Sequence, residues 1–265
     1  LPVSIMSVMR AAPMIRGAME RCRMQIDGRV NLPRAWACLG LFHLLLGEPF
    51  DALAAVAQVI RLCPARTDAS NPGAASRELL RMREAVDHLQ SIRNELPGFD
   101  WLHRLVLLGL AVRAHDAESL DVVRSLASWG TGAPHFNGDD RIVILSGGCA
   151  AAAQPFIDAV KPLVLDGCEG LSFTVVSGGT AMGIAGLAGD VAEASHGRVR
   201  ALGYLPRSLP AGVRPDIDRS RYAALIPSAG VDFTPLEPLQ GWTDLAAAGI
   251  APDRVKLLAY AGGQI

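Results

Sequence analysis

Apolar and polar positions follow two different periods along this 265-residue chain. Through residues 36–46, 50–62, 76–96 and 101–112 apolar side chains recur every three or four positions, as in helices that bury one face. Breakers stand where such helices must end: Gly47-Glu48-Pro49, Pro64, Asn71-Pro72-Gly73 and Pro97-Gly98. Residues 67–75 read as a polar linker. From Arg141 onward the pattern changes to short apolar runs separated by helix-like stretches. Residues 141–145, 172–176, 198–205, 224–226 and 255–260 predict strands, and 150–165 predicts an amphipathic helix. This alternation predicts a mostly parallel sheet with helices on both faces: an α/β, Rossmann-like domain preceded by an all-α region. The division expected is a helical region at 1–130, a turn-rich linker at 131–140 and the α/β domain at 141–265.

Within the helical half, Trp36-x-x-Leu39-Gly40-x-x-His43, then Ala52-x-x-x-Val56, then Pro64, resembles a tetratricopeptide repeat, with His43 where an aromatic is usual. Small residues at Gly40 and Ala52 would let two antiparallel helices approach closely, with Trp36 filling the gap. One good copy is visible. A repeat array and an ordinary helical hairpin both fit.

Composition narrows the function classes. Half the residues are hydrophobic, 19 % are charged and the net charge is −1, so the chain lacks the basic footprint of a nucleic-acid or anionic-membrane binder. Five scattered cysteines without a C-x-x-C pair predict reduced thiols in a cytoplasmic protein. The apolar runs, such as 105–112, are too short to span a bilayer, and no signal peptide is evident. The start at Leu1 and the stop just after Gly262-Gly263 read as cuts inside a longer protein. The six histidines show no metal spacing and predict surface or core roles, so no metal is expected.

Residues 175–190, VVSGGTAMGIAGLAGD, hold five glycines within twelve positions, most of them where a helix should form. Such a run serves a close approach either of another backbone or of a ligand. In a doubly wound sheet ligands bind beyond the carboxyl ends of the strands. Three glycine-rich stretches fall there: Ser146-Gly147-Gly148, Ser177-Gly178-Gly179-Thr180 and Gly262-Gly263. Backbone N–H groups and a helix N-terminus suit phosphate there, with Ser177 and Thr180 supplying hydroxyls. Gly183, Gly186 and Gly189 predict close helix–sheet packing, although Gly183 lies near enough to the loop to serve a ligand as well. Neither the G-x-G-x-x-G fingerprint nor a P-loop is present. Arg207 reads either as a cation for phosphate or as a solvated loop charge. Asp190 and Glu193 read as a solvated helix face, and Cys149 as a small helix-start residue.

Leu145-Ser-Gly-Gly-Cys149, Ser177-Gly-Gly-Thr-Ala-Met-Gly-Ile184, Gly203-Tyr-Leu-Pro-Arg207, Phe233-Thr-Pro-Leu-Glu-Pro-Leu239 and residues 255–263 together resemble the SLOG superfamily. The likeness is to its prokaryotic branch, similar to the nucleotide-sensing region of TRPM channels, and covers about residues 140–265. It implies a Rossmann-like fold, truncated here at its carboxyl-terminal end. It also implies a nucleotide or nucleotide-derived messenger, of ADP-ribose type, as ligand. Such domains often regulate an effector, fused or associated, in bacterial defence or stress systems, and the helical region would then oligomerise or relay the signal. The ligand-facing residues it implies are Gly147, Gly148, Cys149, Ser177, Gly178, Gly179, Thr180, Met182, Gly183, Pro206, Arg207, Glu237, Gly262 and Gly263. Glu237 could equally be a helix-start carboxylate.

Some relatives in that superfamily are phosphoribohydrolases that cleave the glycosidic bond of nucleoside monophosphates. Their P-G-G-x-G-T-x-x-E motif is replaced here by Ala261-Gly262-Gly263-Gln264, and their arginine motif has only unmatched substitutes in Arg219 and Arg221. The expectation is therefore a ligand sensor with no catalytic residue. A hydrolase and a ligand-free scaffold are the alternatives.

Overall fold

The computed structural model describes residues 5–63, 73–129, 133–148, 151–208 and 217–260. The chain divides into two compact units, Leu1–Val123 and Arg124–Ile265.

The first unit is helical: α1 (Ile5–Asp27), α2 (Leu32–Leu45), α3 (Pro49–Leu62), α4 (Ala74–His88), α5 (Phe99–Arg113) and α6 (Ala117–Ser125), whose last residues pass into the second unit. Its core is made by Leu44, Val56, Val59, Leu79, Met82, Leu102, Val106 and Leu110, all buried. Each such side chain contributes roughly 1.5–3 kcal/mol by leaving water. The small residues act as expected. A Cβ at Gly40 would lie 3.1 Å from Val56 Cγ2 and 3.4 Å from the Ala52 carbonyl oxygen, so α2 and α3 meet closely there. The helix expected to run to residue 96 ends at His88, and Gln90–Glu95 winds as a 3₁₀ turn. Leu89 and Ile92 stand three apart, a spacing that fits three residues per turn, and both are buried.

The second unit runs β1 (Ile142–Gly147), α7 (Gln154–Cys168), β2 (Phe173–Ser177), α8 (Gly183–Ala194), β3 (Val199–Leu205), β4 (Ala224–Pro227), α9 (Leu236–Ala247) and β5 (Val255–Tyr260). The five strands form one sheet in the order β4-β3-β2-β1-β5, every pair parallel. This is the expected α/β, Rossmann-like architecture following an all-α region. Successive side chains alternate between faces. Val143, Leu145, Val175, Val199 and Ala201 pack with Ile157 of α7 and with Ile184, Leu187 and Val191 of α8. Ile142, Ile144, Val176, Leu202 and Tyr204 pack with Leu245 of α9 and with Phe136 on the other face. Both faces are covered, which is why the strands read as continuous apolar runs.

One buried polar group joins residues 126–128 to this unit. Asp244, fully buried on α9, accepts hydrogen bonds from Ser128 N (2.8 Å), Tyr204 Oη (2.7 Å) and Gln240 Nε2 (2.8 Å), and from the Ser128 hydroxyl. Gln240 Nε2 also donates to the Leu126 carbonyl. Burial, reinforced by the Asp244 carboxylate, pushes the Tyr204 phenol well above its ordinary pKa, so it remains a donor.

Candidate functional site

The strand order defines where a ligand would sit. From β1 the chain moves outward through β2, β3 and β4, then returns to the opposite side of β1 as β5. The direction reverses between β1 and β5, and such a switch point opens a crevice at the carboxyl ends of the strands. Those ends are Gly147 and Tyr260, which are register partners. A Cβ at Gly147 would stand 1.9 Å from the Tyr260 carbonyl oxygen, so glycine is required there by β5 itself. Gly148 N donates to the same oxygen at 3.4 Å, while its own carbonyl accepts Ile184 N at 3.3 Å. Gly147-Gly148 and the first turn of α8 are thereby brought together. Cys149, Gly262 and Gly263 lie outside the described residues.

The loop from Ser177 to Gly183 is held from beneath. Ser177 is buried; its Oγ accepts Gly179 N at 3.4 Å and lies 3.4 Å from the Tyr222 hydroxyl. That hydroxyl is also 2.8 Å from the Ala185 carbonyl and 3.2 Å from the Thr180 carbonyl, fastening the loop to α8. Thr180 Oγ1 donates to the Met182 carbonyl at 3.5 Å, and the Met182 side chain is exposed. Gly183, at φ +59°, donates its N–H to Gln154 Oε1 at 3.2 Å. Thr180, Ala181 and Met182 donate no main-chain N–H to another described residue.

The glycines separate into two kinds. Gly179 has φ +72°, and a Cβ there would lie 3.2 Å from Gly203 Cα of β3; a Cβ at Gly203 would come within 2.4 Å of Gly179 Cα. A Cβ at Gly186 would stand 2.2 Å from the Ala181 carbonyl oxygen, and one at Gly189 would stand 2.9 Å from the Arg221 guanidinium. Each of these is explained by a protein neighbour. Gly178 is not: among the described residues a Cβ there would meet only Ala185 Cβ, at an ordinary 3.7 Å, and its φ is not positive.

The remaining expected residues occupy the same end of the sheet. Pro206 and Arg207 follow β3; Pro206 is buried, and Arg207 is exposed, its N–H bonded to the Gly230 carbonyl at 2.9 Å. The Arg207 guanidinium pairs with no described residue. Glu237 is buried at the start of α9. Its Oε2 accepts Thr234 N (2.7 Å) and Thr234 Oγ1 (3.3 Å), and its Oε1 accepts the Ser228 hydroxyl. The Thr234-x-x-Glu237 spacing is that of a capping box. Oε2 thus serves the helix start, while Oε1 ties α9 to Ser228 just after β4.

Other groups stand out only in three dimensions. Tyr222 and Gln154 support the loop, and no motif marks either. Asp190, expected as solvated, is paired with Arg221 and with Lys161 Nζ at 2.8 Å, and Arg221 also donates to the Gly186 carbonyl at 3.2 Å. Arg221 therefore braces α8. A cavity of about 460 Å³ opens at the amino-terminal end of β3, lined by Glu193, Gly197, Arg200, Ser220, Arg221 and Tyr222. It lies at the opposite end of β3 from Pro206-Arg207, where the switch-point rule does not place a ligand. In the helical unit His43 is buried, with Nδ1 2.6 Å from Glu48 Oε2. Together with Asp51 these donor atoms fall within 4.8 Å of one another, and the His43–Glu48 hydrogen bond accounts for the closest pair. Among the described residues no helix is long and apolar enough to cross a membrane.

Comparison of the chain with protein-family models, with curated proteins and with solved structures returns no match.

Proposed function

We propose that the α/β unit binds a phosphate-bearing, nucleotide-derived ligand of the ADP-ribose type at the carboxyl ends of β1, β2 and β3, and that it acts as a sensor for it. The observation that carries this reading is Gly178. It lies between β2 and α8, beside the switch point, and among the described residues a Cβ there would meet only Ala185 Cβ, at 3.7 Å. The N–H groups of residues 180–182, which donate to no described residue, and the α8 N-terminus support an anion there. Arg207, whose guanidinium pairs with no described residue, supplies the matching cation at the same end of the sheet. Binding is favoured over glycosidic hydrolysis because both Glu237 oxygens already accept internal donors, one at the helix start and one from Ser228 after β4. The helical unit, in this proposal, passes the bound state to a partner.

Thermal unfolding against AMP, ADP, ATP, NAD, ADP-ribose and cyclic nucleotides tests the reading. A ligand at a hundredfold excess over its Kd stabilises the bound unit by about 2.7 kcal/mol. Gly178→Asp, which adds a like charge at a position where a Cβ makes only an ordinary contact with Ala185, removes that stabilisation while leaving the unliganded transition in place. A panel with no saturable shift, or a shift that survives Gly178→Asp, contradicts it.

A further inference from the structure

His43, Glu48 and Asp51 meet at the corner where α2 passes into α3. His43 lies buried in the last turn of α2, with Nδ1 2.6 Å from Glu48 Oε2. One oxygen of Asp51 completes a set of three donor atoms, all within 4.8 Å of one another. Among the described residues no other three histidine, cysteine or acidic side chains come together in this way. The corner is fixed by its main chain: Gly47, at φ +73°, donates to the Leu44 carbonyl at 3.1 Å, and Glu48 N donates to the His43 carbonyl at 2.9 Å. Pro49 lies against Gly98, where a Cβ would come within 2.3 Å of Pro49 Cβ. The three side chains therefore start from a stiff frame.

A helix N-terminus favours carboxylates, but neither of these caps the helix. Glu48 is the N-cap residue of α3, and its side chain makes no capping bond; it turns back to His43 instead. Asp51, in the first turn, is exposed and makes no hydrogen bond or ion pair with a described residue. No described arginine or lysine pairs with either carboxylate. Two acidic groups thus face one buried imidazole without a fixed cation to balance them.

We propose that His43 Nδ1, Glu48 and Asp51 bind one divalent cation of the zinc class. Imidazole combined with carboxylates suits zinc and its transition-metal neighbours better than magnesium or calcium, which take oxygen donors. Donors held by zinc at about 2.0–2.2 Å in a tetrahedron stand roughly 3.3–3.5 Å apart, so the Nδ1–Oε2 pair opens by less than about 1 Å while the Asp51 oxygen swings inward. The cation takes the place of the proton shared between His43 and Glu48. Water fills its fourth position on the solvent side, where Asp51 is exposed. The bound ion clamps the start of α3 to the end of α2.

The test strips the reduced full chain of metal with EDTA, then titrates zinc alone by calorimetry and cobalt alone by visible absorption. The expected result is one zinc per chain, the absorption bands of tetrahedral cobalt, and a thermal transition that rises with zinc but not with the same concentration of magnesium. Asp51→Asn alters an exposed side chain and should weaken zinc at least about tenfold. His43→Gln should abolish binding, with helical circular dichroism confirming that it folds. His103→Gln, which alters a histidine 3.9 Å from Asp87, should bind as the parent does. Absence of saturable zinc binding, parental affinity in Asp51→Asn or His43→Gln, or loss of binding in His103→Gln or on alkylation of the cysteines would overturn the proposal.

Discussion

Glycine meets different neighbours in the two units. In the helical unit the nearest atom to a Cβ at Gly40 or Gly109 would belong to a side chain, Val56 Cγ2 at 3.1 Å or Ile60 Cγ1 at 2.7 Å. In the α/β unit a Cβ at Gly147, Gly186 or Gly203 would meet main-chain atoms of Tyr260, Ala181 or Gly179, at 1.9, 2.2 and 2.4 Å. A side chain can rotate aside within its packing, whereas a strand or loop backbone must move as a piece. Gly40 and Gly109 are therefore adjustable, whereas Gly147, Gly186 and Gly203 are rigidly demanded. Gly178 belongs to neither group: a Cβ there would meet only Ala185 Cβ among the described residues, at 3.7 Å.

Substitutions to alanine measure that difference directly. Gly147→Ala has the largest effect: the new methyl would sit against the Tyr260 carbonyl, and the α/β unit should lose about 4 kcal/mol, read by urea unfolding of that unit. A loss below about 1 kcal/mol would mean that β5 yields easily, and the contrast between units would collapse. Gly186→Ala comes next at about 2–3 kcal/mol, because the clash with the Ala181 carbonyl exceeds the gain in helix propensity. Gly109→Ala should cost only about 1–2 kcal/mol, since Ile60 can shift and alanine favours α5. Gly178→Ala should stay within about 0.5 kcal/mol of the parent in the same assay, with a slight gain from the stiffer unfolded chain. Equal losses at Gly109 and Gly147 would erase the distinction; a large loss at Gly178 would remove the reason for reading it as open to a ligand.

Much of the fold was legible in the sequence because periodicity reports burial. The apolar runs at 141–145 and 255–260 anticipated β1 and β5, since strands covered on both faces carry few polar residues. α1 was not singled out: its buried positions Val8, Ile15, Met19 and Cys22 are interleaved with arginines, exposed methionines and Pro13, which blur a helical stripe. The candidate site was legible only in part. The glycine positions marked strand ends, but sequence could not tell that Gly179 faces Gly203, or that Asp190 would meet Arg221 from 31 residues away. The same holds for Asp244, whose donors come from residues 128, 204 and 240, a set that no local pattern records.

The proposed ligand site at the carboxyl ends of β1, β2 and β3 is open to a direct test. Hydrogen exchange should be followed peptide by peptide, with and without the nucleotide that stabilises the chain most. Protection concentrated at residues 147–148, 178–183 and 206–207 is the predicted result. Protection confined to the cavity at the amino end of β3, around Gly197 and residues 220–223, would contradict the account and move the binding site to the opposite end of the sheet.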